Sequence, residues 1–475
     1  MTRERIELSR RVLGCRDREQ HSGEADSGEI FTPDRIDMVA IVALVFAATV
    51  LRKHPQRQIR KLAKLIEKFG FVAPIWIDQD SVIIAGEARV KAAQLLGLTH
   101  VPAIRLLHLT EPEVRALRIA DNQLASLSSW DRQTLTVELV DLSVLLPDFS
   151  LTGFETPELD LLIGSELSKP NDIARDDCPP AAFDAPAISA IGDIWLCGPH
   201  RIGCGDARDA AFLARLLINK VAAQVLSDMP YNVKIIGNVG GKGKIKHPEF
   251  VMASGEMSDE EFQEFVRAFL AVAMAQCKDG ALLYIFTDWR HVHQLIQAGL
   301  NLHLSYFNLC VWTKTNAGMG SLYRSQHELV VIFKKGDAPH TNNVELGRYG
   351  RNRTNVWPYE GANSINPKRR KELALHPTVK PAQLCIDAIL DCTHRDEIIL
   401  DSFLGSGTTL IAAEDCGRIC YGIEISPHYV DVVIHRWQEF TGREALLEAT
   451  GETIFEVKRR RAPTDDELDT SVTVL

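Results

Sequence analysis

The stretch that most restricts the fold runs from Glu397 to Glu424. It opens with an apolar run, EIILD, passes through the glycine turn SFLGSG into a helix-forming segment, TTLIAA, and closes with a second apolar run, CYGIE. Strand, glycine turn, helix and strand in this order are typical of a parallel sheet with helices on its faces. Further apolar runs alternate with helical ones after Gly192. We therefore predict an α/β fold built on a Rossmann-like, doubly wound sheet, with ligands beyond the carboxyl ends of its strands.

The glycine turn has the composition of a ligand-binding loop. Gly405 and Gly407 let the backbone approach a ligand that a Cβ would exclude. Glu424 follows about 20 residues later at a strand end, where a carboxylate can accept both hydroxyls of a ribose. The pattern favours a nucleoside cofactor, although a turn that only packs a helix on a strand has the same glycine spacing. The candidate cofactor contacts are Asp401, Phe403, Gly405, Gly407, Thr408 and Glu424.

A segment with two prolines, HPTVKP at 376–381, lies one helix before this unit. The prolines exclude a helix interior. The segment is either an ordinary helix N-terminus or a wall of the cofactor site, and in the second case Lys380 is a further candidate cofactor contact.

A second loop, Asp228-Met229-Pro230-Tyr231, follows the apolar run VAAQVLS. It places a carboxylate, a backbone carbonyl and an aromatic ring at the carboxyl end of a strand. The nitrogen of an exocyclic amino group is a poor nucleophile, and two acceptors for its hydrogens, Asp228 and the Met229 carbonyl, would help it become pyramidal. Tyr231 could stack on a base that has left its duplex. The alternative is that the loop merely ends a strand in a turn.

The loop Asp-Met-Pro-Tyr, followed by HPTVKP and DSFLGSGTT, resembles the motifs of the beta-class DNA amino-methyltransferases, over Gly192 to about Arg443. The resemblance implies methyl transfer from S-adenosylmethionine to adenine N6 or cytosine N4 of DNA, and the Asp at the first position of the base loop favours adenine. It also makes Asp206 a candidate partner for the cofactor adenine.

Two residues depart from the pattern of this class. Met229 and Ser402 stand where the class usually has proline. Met229 keeps the backbone carbonyl and loses the rigidity of proline. A catalytically weakened or inactive homologue that acts as a DNA-binding protein therefore remains an alternative hypothesis.

The segment Ile84-Ala-Gly86-Glu87-Ala-Arg89 resembles the Gly-Glu-x-Arg loop of ParB-like domains. In that family the loop approaches nucleotide phosphates, so Gly86, Glu87 and Arg89 are candidate contacts for a nucleotide or for DNA. A salt bridge at a helix start explains the charged pair equally well.

A local basic segment lies between the two methyltransferase half-sites. Residues 340–372 contain seven Lys or Arg against three Glu, with aromatic and Asn residues between them. We interpret 335–375 as the target-recognition segment, in which the basic side chains would contact DNA phosphates. The candidate DNA contacts are Arg348, Arg351, Arg353, Lys368 and Arg369.

Composition and length set the remaining expectations. A chain of 475 residues predicts more than one domain, and its net charge of −10 excludes a generic polyanion binder. The ten cysteines have no spacing suited to zinc, and no apolar run is long enough to span a membrane, which predicts a cytoplasmic protein. A homodimer stays an open possibility.

The expected order along the chain has five parts. Residues 1–36 form a disordered tail, 37–164 a small α/β ParB-like domain with a helical extension, 165–186 a linker, 187–457 the methyltransferase domain, and 458–475 a second disordered tail.

Overall fold

The computed structural model describes residues 32–49, 51–146, 148–167, 186–233, 255–315, 317, 322–344, 351–360 and 380–462. These residues form two compact units, one ending at Ser129 and the other beginning at Trp130. The expected tails and linker lie largely outside the described residues. No helix among the described segments is long and apolar enough to cross a membrane.

The first unit is a small α/β domain. Its sheet has the order β1-β4-β2-β3, with β2 and β4 parallel and the other pairs antiparallel. Fully buried Ile75, Ile77 and Val101 form its core with residues of α2. The elements are β1 Asp37–Ala40, a 3-10 turn Ile41–Ala43, α1 Gln56–Phe69, β2 Ile75–Ile77, β3 Ile83–Ala85, α2 Glu87–Leu95, β4 His100–Arg105 and α3 Glu111–Leu127.

The second unit is built on a ten-stranded sheet of order β11-β9-β10-β8-β7-β12-β13-β6-β5-β14. Its strands are β5 Ile194–Cys197, β6 His200–Cys204, β7 Ala222–Asp228, β8 Cys277–Thr287, β9 Ser305–Thr313, β10 His327–Lys334, β11 Val356–Pro358, β12 Ile398–Asp401, β13 Ile419–Glu424 and β14 Leu446–Leu447. The central strands β8, β7, β12, β13 and β6 are mutually parallel.

Helices cover both faces of this sheet. The helical elements of the second unit are α4 Arg132–Leu145, a 3-10 turn Phe149–Thr152, α5 Thr156–Leu167, α6 Ala210–Leu217, α7 Asp259–Ala275, α8 Val292–Asn301, α9 Ala382–Cys392, α10 Thr408–Asp415, α11 Pro427–Thr441 and α12 Ile454–Arg461. Successive strand residues face opposite layers: Ile399 packs with α9 and α10, whereas Leu400 packs with α6 and α7. This arrangement confirms the predicted α/β class.

The division of the chain differs from the expected one at two places. Helices α4 and α5, which we expected to extend the ParB-like domain, belong to the second unit. There the Asp160 carboxylate pairs with the fully buried guanidinium of Arg418 at 2.7 Å.

The basic run at 458–461 is the last turn of α12 and not part of a tail. A capping box between Thr453 and Glu456 starts this helix, and cations are favourable near a helix C-terminus. Arg460 also pairs with Glu452 and Arg461 with Asp193, which gives two of its cations partners.

Candidate active site

The sheet topology collects acidic residues at one edge. Because β7, β12 and β13 are parallel neighbours, their carboxyl ends lie side by side, and they carry Asp228, Asp401 and Glu424. Between β7 and β12 the strand order reverses, since the chain proceeds from β7 to β8 on one side and from β12 to β13 on the other. Ligands of open α/β sheets bind at such a reversal point.

The glycine loop is shaped around the Glu424 carboxylate. Gly405 and Gly407 have φ values of 55° and 85°, which side chains other than that of glycine rarely adopt. Glu424 accepts the Gly405 amide hydrogen on one oxygen and that of Ser426 on the other, both at 2.8 Å. Burial raises the pKa of Glu424 to about 7. Each oxygen retains a lone pair, so the carboxylate can still accept a ligand hydroxyl.

Asp401 is buried behind this loop. Its Oδ1 accepts the Ser227 hydroxyl and the Phe403 amide hydrogen, each at 3.1 Å. Burial raises the pKa of Asp401 to about 6. Asp401 therefore stabilises the turn through Phe403 and also contacts β7, the strand that leads to the base loop, through Ser227.

The other predicted cofactor residues have protein partners. Phe403 packs edge to face on Phe269, with ring centroids 5.1 Å apart. The buried Arg436 guanidinium donates a hydrogen bond to the Thr408 hydroxyl at 3.2 Å and another to the Ser406 carbonyl. Thr408 therefore helps to fix the start of α10, a contact that the sequence pattern did not indicate.

Asp206 follows β6 at the same edge of the sheet. Arg208 holds its carboxylate with two nitrogens, the closer contact being 2.7 Å. Burial raises the pKa of Asp206, but the bonds from Arg208 outweigh it and leave the pKa below its ordinary value. An ionised Asp206 stays available as an acceptor.

The base loop lies in a buried cluster of opposite charges. The Tyr231 hydroxyl donates to Asp228 Oδ1 at 2.5 Å, and the Lys380 ammonium forms a close ion pair with Asp228 Oδ2. Lys380 Nζ also lies 3.8 Å from Glu328 Oε2, and Lys314 pairs with the other oxygen of Glu328. Two carboxylates thus share two ammonium groups. The structure places Lys380, which we assigned to the cofactor, against the base loop.

Aromatic rings form the wall beside these charges. Lys380 Nζ lies 4.3 Å from the Phe286 ring centroid and 5.8 Å from that of Trp312. Burial raises the pKa of Asp228 and also that of Tyr231, whereas the Lys314 and Lys380 charges outweigh burial and lower the pKa of Glu328. The phenol therefore remains a donor to Asp228.

The base loop is held from both sides. The Met229 side chain is 1% exposed and belongs to the apolar cluster under α7. Asn232, with φ of 54°, accepts the amide hydrogen of Gly255 at 2.9 Å and donates to the Met257 carbonyl at 2.8 Å. The side chain of Met229 is thus an anchor in the core, and its carbonyl is the part left for chemistry.

Of the predicted DNA contacts, Arg348, Lys368 and Arg369 lie outside the described residues. Arg351 and Arg353 each contact Asp391 of α9 at 2.7 Å, and their side chains are only 10% and 18% exposed. Arg353 also donates to the Tyr359 hydroxyl at 2.8 Å. Both guanidinium groups are engaged within the protein, and a phosphate contact would require them to leave Asp391.

The predicted loop of the first unit borders a cavity. Gly86 begins α2 with φ of 100°, and a Cβ there would lie 2.7 Å from Ile75. Arg89 donates to the carbonyls of Ala73 and Pro74, and Glu87 pairs with Lys91 at 2.6 Å. The cavity of about 240 Å³ is lined by these loop residues and by polar side chains that include Arg52, His54, Arg118 and Asp121.

Ser227, Lys314, Glu328 and Arg436 are among the site residues that were not predicted individually. For Glu328 the available signal was an acidic residue at the start of the apolar run HELVVIF. Nothing local marks Ser227 or Arg436, because each acts through a partner distant in sequence.

Comparison with known proteins agrees with both motif resemblances. The family model for DNA methylases of the N6/N4 type matches residues 223–435, and the model for the ParB N-terminal domain matches 27–123. The chain is 24% identical to the Type II methyltransferase M.HpaI of Haemophilus parainfluenzae, over 47% of this chain and 71% of that relative. It is 28% identical to the Type II methyltransferase M2.DpnII of Streptococcus pneumoniae, over 45% of this chain and 81% of the relative.

Among solved structures, the M1.HpyAVI-SAM complex is 18% identical with a TM-score of 0.35, over 50% of this chain and 98% of that one. The family models confirm the predicted resemblances. Residues 223–435 thus match the DNA methylases of the N6/N4 type, and residues 27–123, ahead of them in the chain, match the ParB N-terminal domain.

Proposed function

We propose that the protein transfers a methyl group from S-adenosylmethionine to the N6 amino group of adenine in DNA. The observation that carries this proposal is the adjacency of two half-sites on neighbouring strands: the Asp228–Tyr231 pair ends β7 and the glycine loop follows β12. Cytosine N4 is the alternative target, and the first-position Asp favours adenine.

The residues of the glycine loop suit this methyl donor. A buried carboxylate with free lone pairs, Glu424, matches two ribose hydroxyls, and the positive-φ glycines leave the backbone open to a ligand. The Ser402 hydroxyl is buried without a partner among the described residues, which leaves one more polar atom for a ligand. The cofactor would supply an electrophilic methyl group; binding and alignment fall to this chain.

The base loop would prepare the nucleophile. Asp228 and the Met229 carbonyl can accept the two amino hydrogens, which directs the nitrogen lone pair out of the ring plane. Tyr231 is held in place by its bond to Asp228, and the rings of Phe286 and Trp312 add an apolar wall near the same carboxylate. Such a pocket suits a flipped base, because stacking offsets the loss of its neighbours in the duplex.

The test is transfer of labelled methyl groups to DNA, with the modified nucleoside identified by mass spectrometry after digestion. We expect N6-methyladenine from the wild type and none from Asp228→Ala. N4-methylcytosine would correct the target base. Wild-type transfer no greater than that of Asp228→Ala would contradict the proposal and favour the inactive DNA-binding homologue.

We also propose that the cavity of the first unit binds a nucleotide. The N-terminus of α2 opens at Gly86 beside Arg52, Arg89 and Arg118, and such a combination attracts phosphate groups. Arg52 and Arg118 already bond Asn122 and the Thr49 carbonyl, which fixes their positions at the rim.

Calorimetric titration of the full chain with each ribonucleoside triphosphate tests this second proposal. We expect binding of at least one of them, weakened at least tenfold by Arg118→Gln. Equal affinities for wild type and variant, or no binding of any nucleotide, would contradict it. Arg115→Gln, an exposed residue of the same helix outside the cavity lining, is the matched control.

A further inference from the structure

A short chain of hydrogen bonds joins the two half-sites inside the sheet. The Ser227 hydroxyl accepts the Ser402 amide hydrogen at 2.8 Å and donates its own hydrogen to Asp401 Oδ1 at 3.1 Å. Ser227 and Ser402 are each 1% exposed. The strand register explains the contact: Val225 lies opposite Leu400, so two residues later Ser227 lies opposite Ser402.

The contact depends on Ser402 not being proline. The DNA methyltransferases that this chain resembles usually have proline at this position, and proline has no amide hydrogen to donate. With serine here, the chain gains a backbone donor at the start of the cofactor loop. In a buried site that donor needs an acceptor, and the Ser227 hydroxyl supplies it.

The hydrogen bond between Ser402 and Ser227 lies between the base loop and the glycine loop. Ser227 directly precedes Asp228 of the base loop, and Ser402 directly follows Asp401 of the glycine loop. Past Leu400, where the pairing of β7 with β12 ends, the Ser227 bonds continue the connection between the two strands. A misplacement of about 1 Å between reacting groups can lower a rate by about 100-fold.

We propose that Ser227 is a positioning residue, which joins the base loop to the cofactor loop and takes over the stiffening that proline would give at position 402. The inference rests on the proposed methyl transfer and adds a residue that acts through Ser402 and Asp401. It predicts that the two positions depend on each other. A serine at 227 is required when residue 402 has an amide hydrogen and is less important when it does not.

The test is a double-mutant cycle with Ser227→Ala, Ser402→Pro and the double variant, measured as kcat and KM for DNA methylation. Ser227→Ala leaves the Ser402 amide without an acceptor, and we expect kcat to fall at least tenfold with KM for DNA within about threefold of wild type. Ser402→Pro in the Ser227→Ala background removes the orphaned donor, and we expect kcat to recover to within about threefold of Ser402→Pro alone.

A double variant no faster than Ser227→Ala would overturn the inference, as would an unchanged kcat in Ser227→Ala. Ser143→Ala truncates a serine of α4 that donates to the Val140 carbonyl of its own helix, and it serves as the control that keeps wild-type kcat.

Hydrogen exchange of the peptide that contains Ser402 gives a readout independent of activity. We expect exchange in this peptide to be at least tenfold faster in Ser227→Ala than in the wild type, with other peptides of the sheet unchanged. Equal exchange would exclude the hydrogen bond. If the wild type transfers no methyl groups, the proposed function fails, and the exchange measurement still decides whether Ser227 secures the loop.

Discussion

At the scale of single residues, Lys380 competes with the proposed substrate. Its ammonium group pairs with Asp228, which is also the acceptor that an amino group would need, and Glu328 lies 3.8 Å away as a second carboxylate. A small movement of Nζ towards Glu328 frees the Asp228 oxygen without leaving the charge unpaired. Because buried charges are costly without partners, we expect Lys380 to exchange between the two carboxylates when a substrate amino group engages Asp228.

Replacement of Lys380 by Met tests a second role of this residue, which is to keep Asp228 ionised. Loss of the nearby positive charge raises the pKa of Asp228 beyond the increase that burial already causes, so a smaller fraction is ionised at neutral pH. We expect kcat/KM to fall at least tenfold at pH 7 and the acidic limb of the pH–rate profile to move to higher pH. Lys335→Met, which loses a bond to the Cys277 carbonyl, should keep the wild-type profile. If the acidic limb of the pH–rate profile of Lys380→Met lies at the same pH as that of the wild type, Lys380 does not keep Asp228 ionised.

Glu424 gives a second prediction at this scale. Its pKa is raised by burial to about 7, and ribose hydroxyls donate to the ionised form. Affinity for S-adenosylmethionine should therefore increase as pH rises towards 7 and level off above it. The raised pKa of Glu424 stabilises the folded state most fully at pH values below 4.5, the ordinary pKa of the group. This stabilisation is lost as the pH rises to about 7.

Calorimetry between pH 5.5 and 8.5 measures the affinity. For Glu424→Gln we expect a weaker affinity for S-adenosylmethionine that no longer changes with pH near 7. If the affinity of both proteins changes with pH in the same way, another group causes the pH dependence.

At the scale of elements, α5 is fastened to the methylase sheet by a buried ion pair. The Arg418 side chain is 0% exposed and that of Asp160 6%, and Arg395 contacts the same carboxylate at 3.1 Å. Arg418 also donates to the Thr393 carbonyl at 2.9 Å. Removal of one partner leaves the other buried without compensation.

We expect Asp160→Ala to reduce the free energy of unfolding by about 3–5 kcal/mol, measured by denaturant titration of the second unit's transition. The exposed pair of Arg267 and Glu264 on α7 is the control, and Arg267→Ala should leave that transition nearly unchanged. An equally small effect of Asp160→Ala would show that α5 is not held by this contact.

The predicted target-recognition segment, 335–375, contains arginines that pair within the protein. Arg353 is held by Asp391 and Tyr359 and stacks 5.2 Å from the Trp357 ring centroid. Arg353→Gln should therefore lower the melting temperature, because Asp391 loses a buried partner.

The salt dependence of DNA binding by Arg353→Gln should stay that of the wild type. Substitution of Lys368 and Arg369 by Gln should do the reverse and reduce the salt slope by about one for each DNA phosphate that is no longer neutralised. If Arg353→Gln changes the salt dependence of DNA binding, Arg353 contacts a DNA phosphate as the sequence predicted.

At the scale of the whole molecule, the order of strands brings distant segments to one edge. Residues 221–232 and 397–424 are separated by more than half of the methylase domain, yet β7 and β12 are neighbours. The carboxyl ends of parallel strands meet at one edge, which is why three acidic residues meet there. The wide sheet also takes in the outer strands β9, β10 and β11, which carry Trp312 and Glu328 to the base loop.

Much of this was visible in the sequence alone. The run EIILDSFLGSGTTLIAA predicted strand, turn and helix, because each depends on neighbours in sequence. The order of the motifs likewise predicted the family. The same local logic was wrong at 458–461, where a charged run was taken for a tail although a capping box starts a helix just before it.

Pairing between distant residues was decided by the tertiary structure. Lys380 follows a loop assigned to the cofactor, and its ammonium group lies on Asp228. Arg351 and Arg353 belong to a basic segment, and both lie on Asp391. The sequence does not show which partner a charged residue has. The fold decides this, because an ion pair is strong only where both groups are buried together. The sequence by itself thus determined the elements, the motifs and the family resemblance, whereas the sheet register and the packing of α5 and α9 decided which charges meet and which remain for ligands.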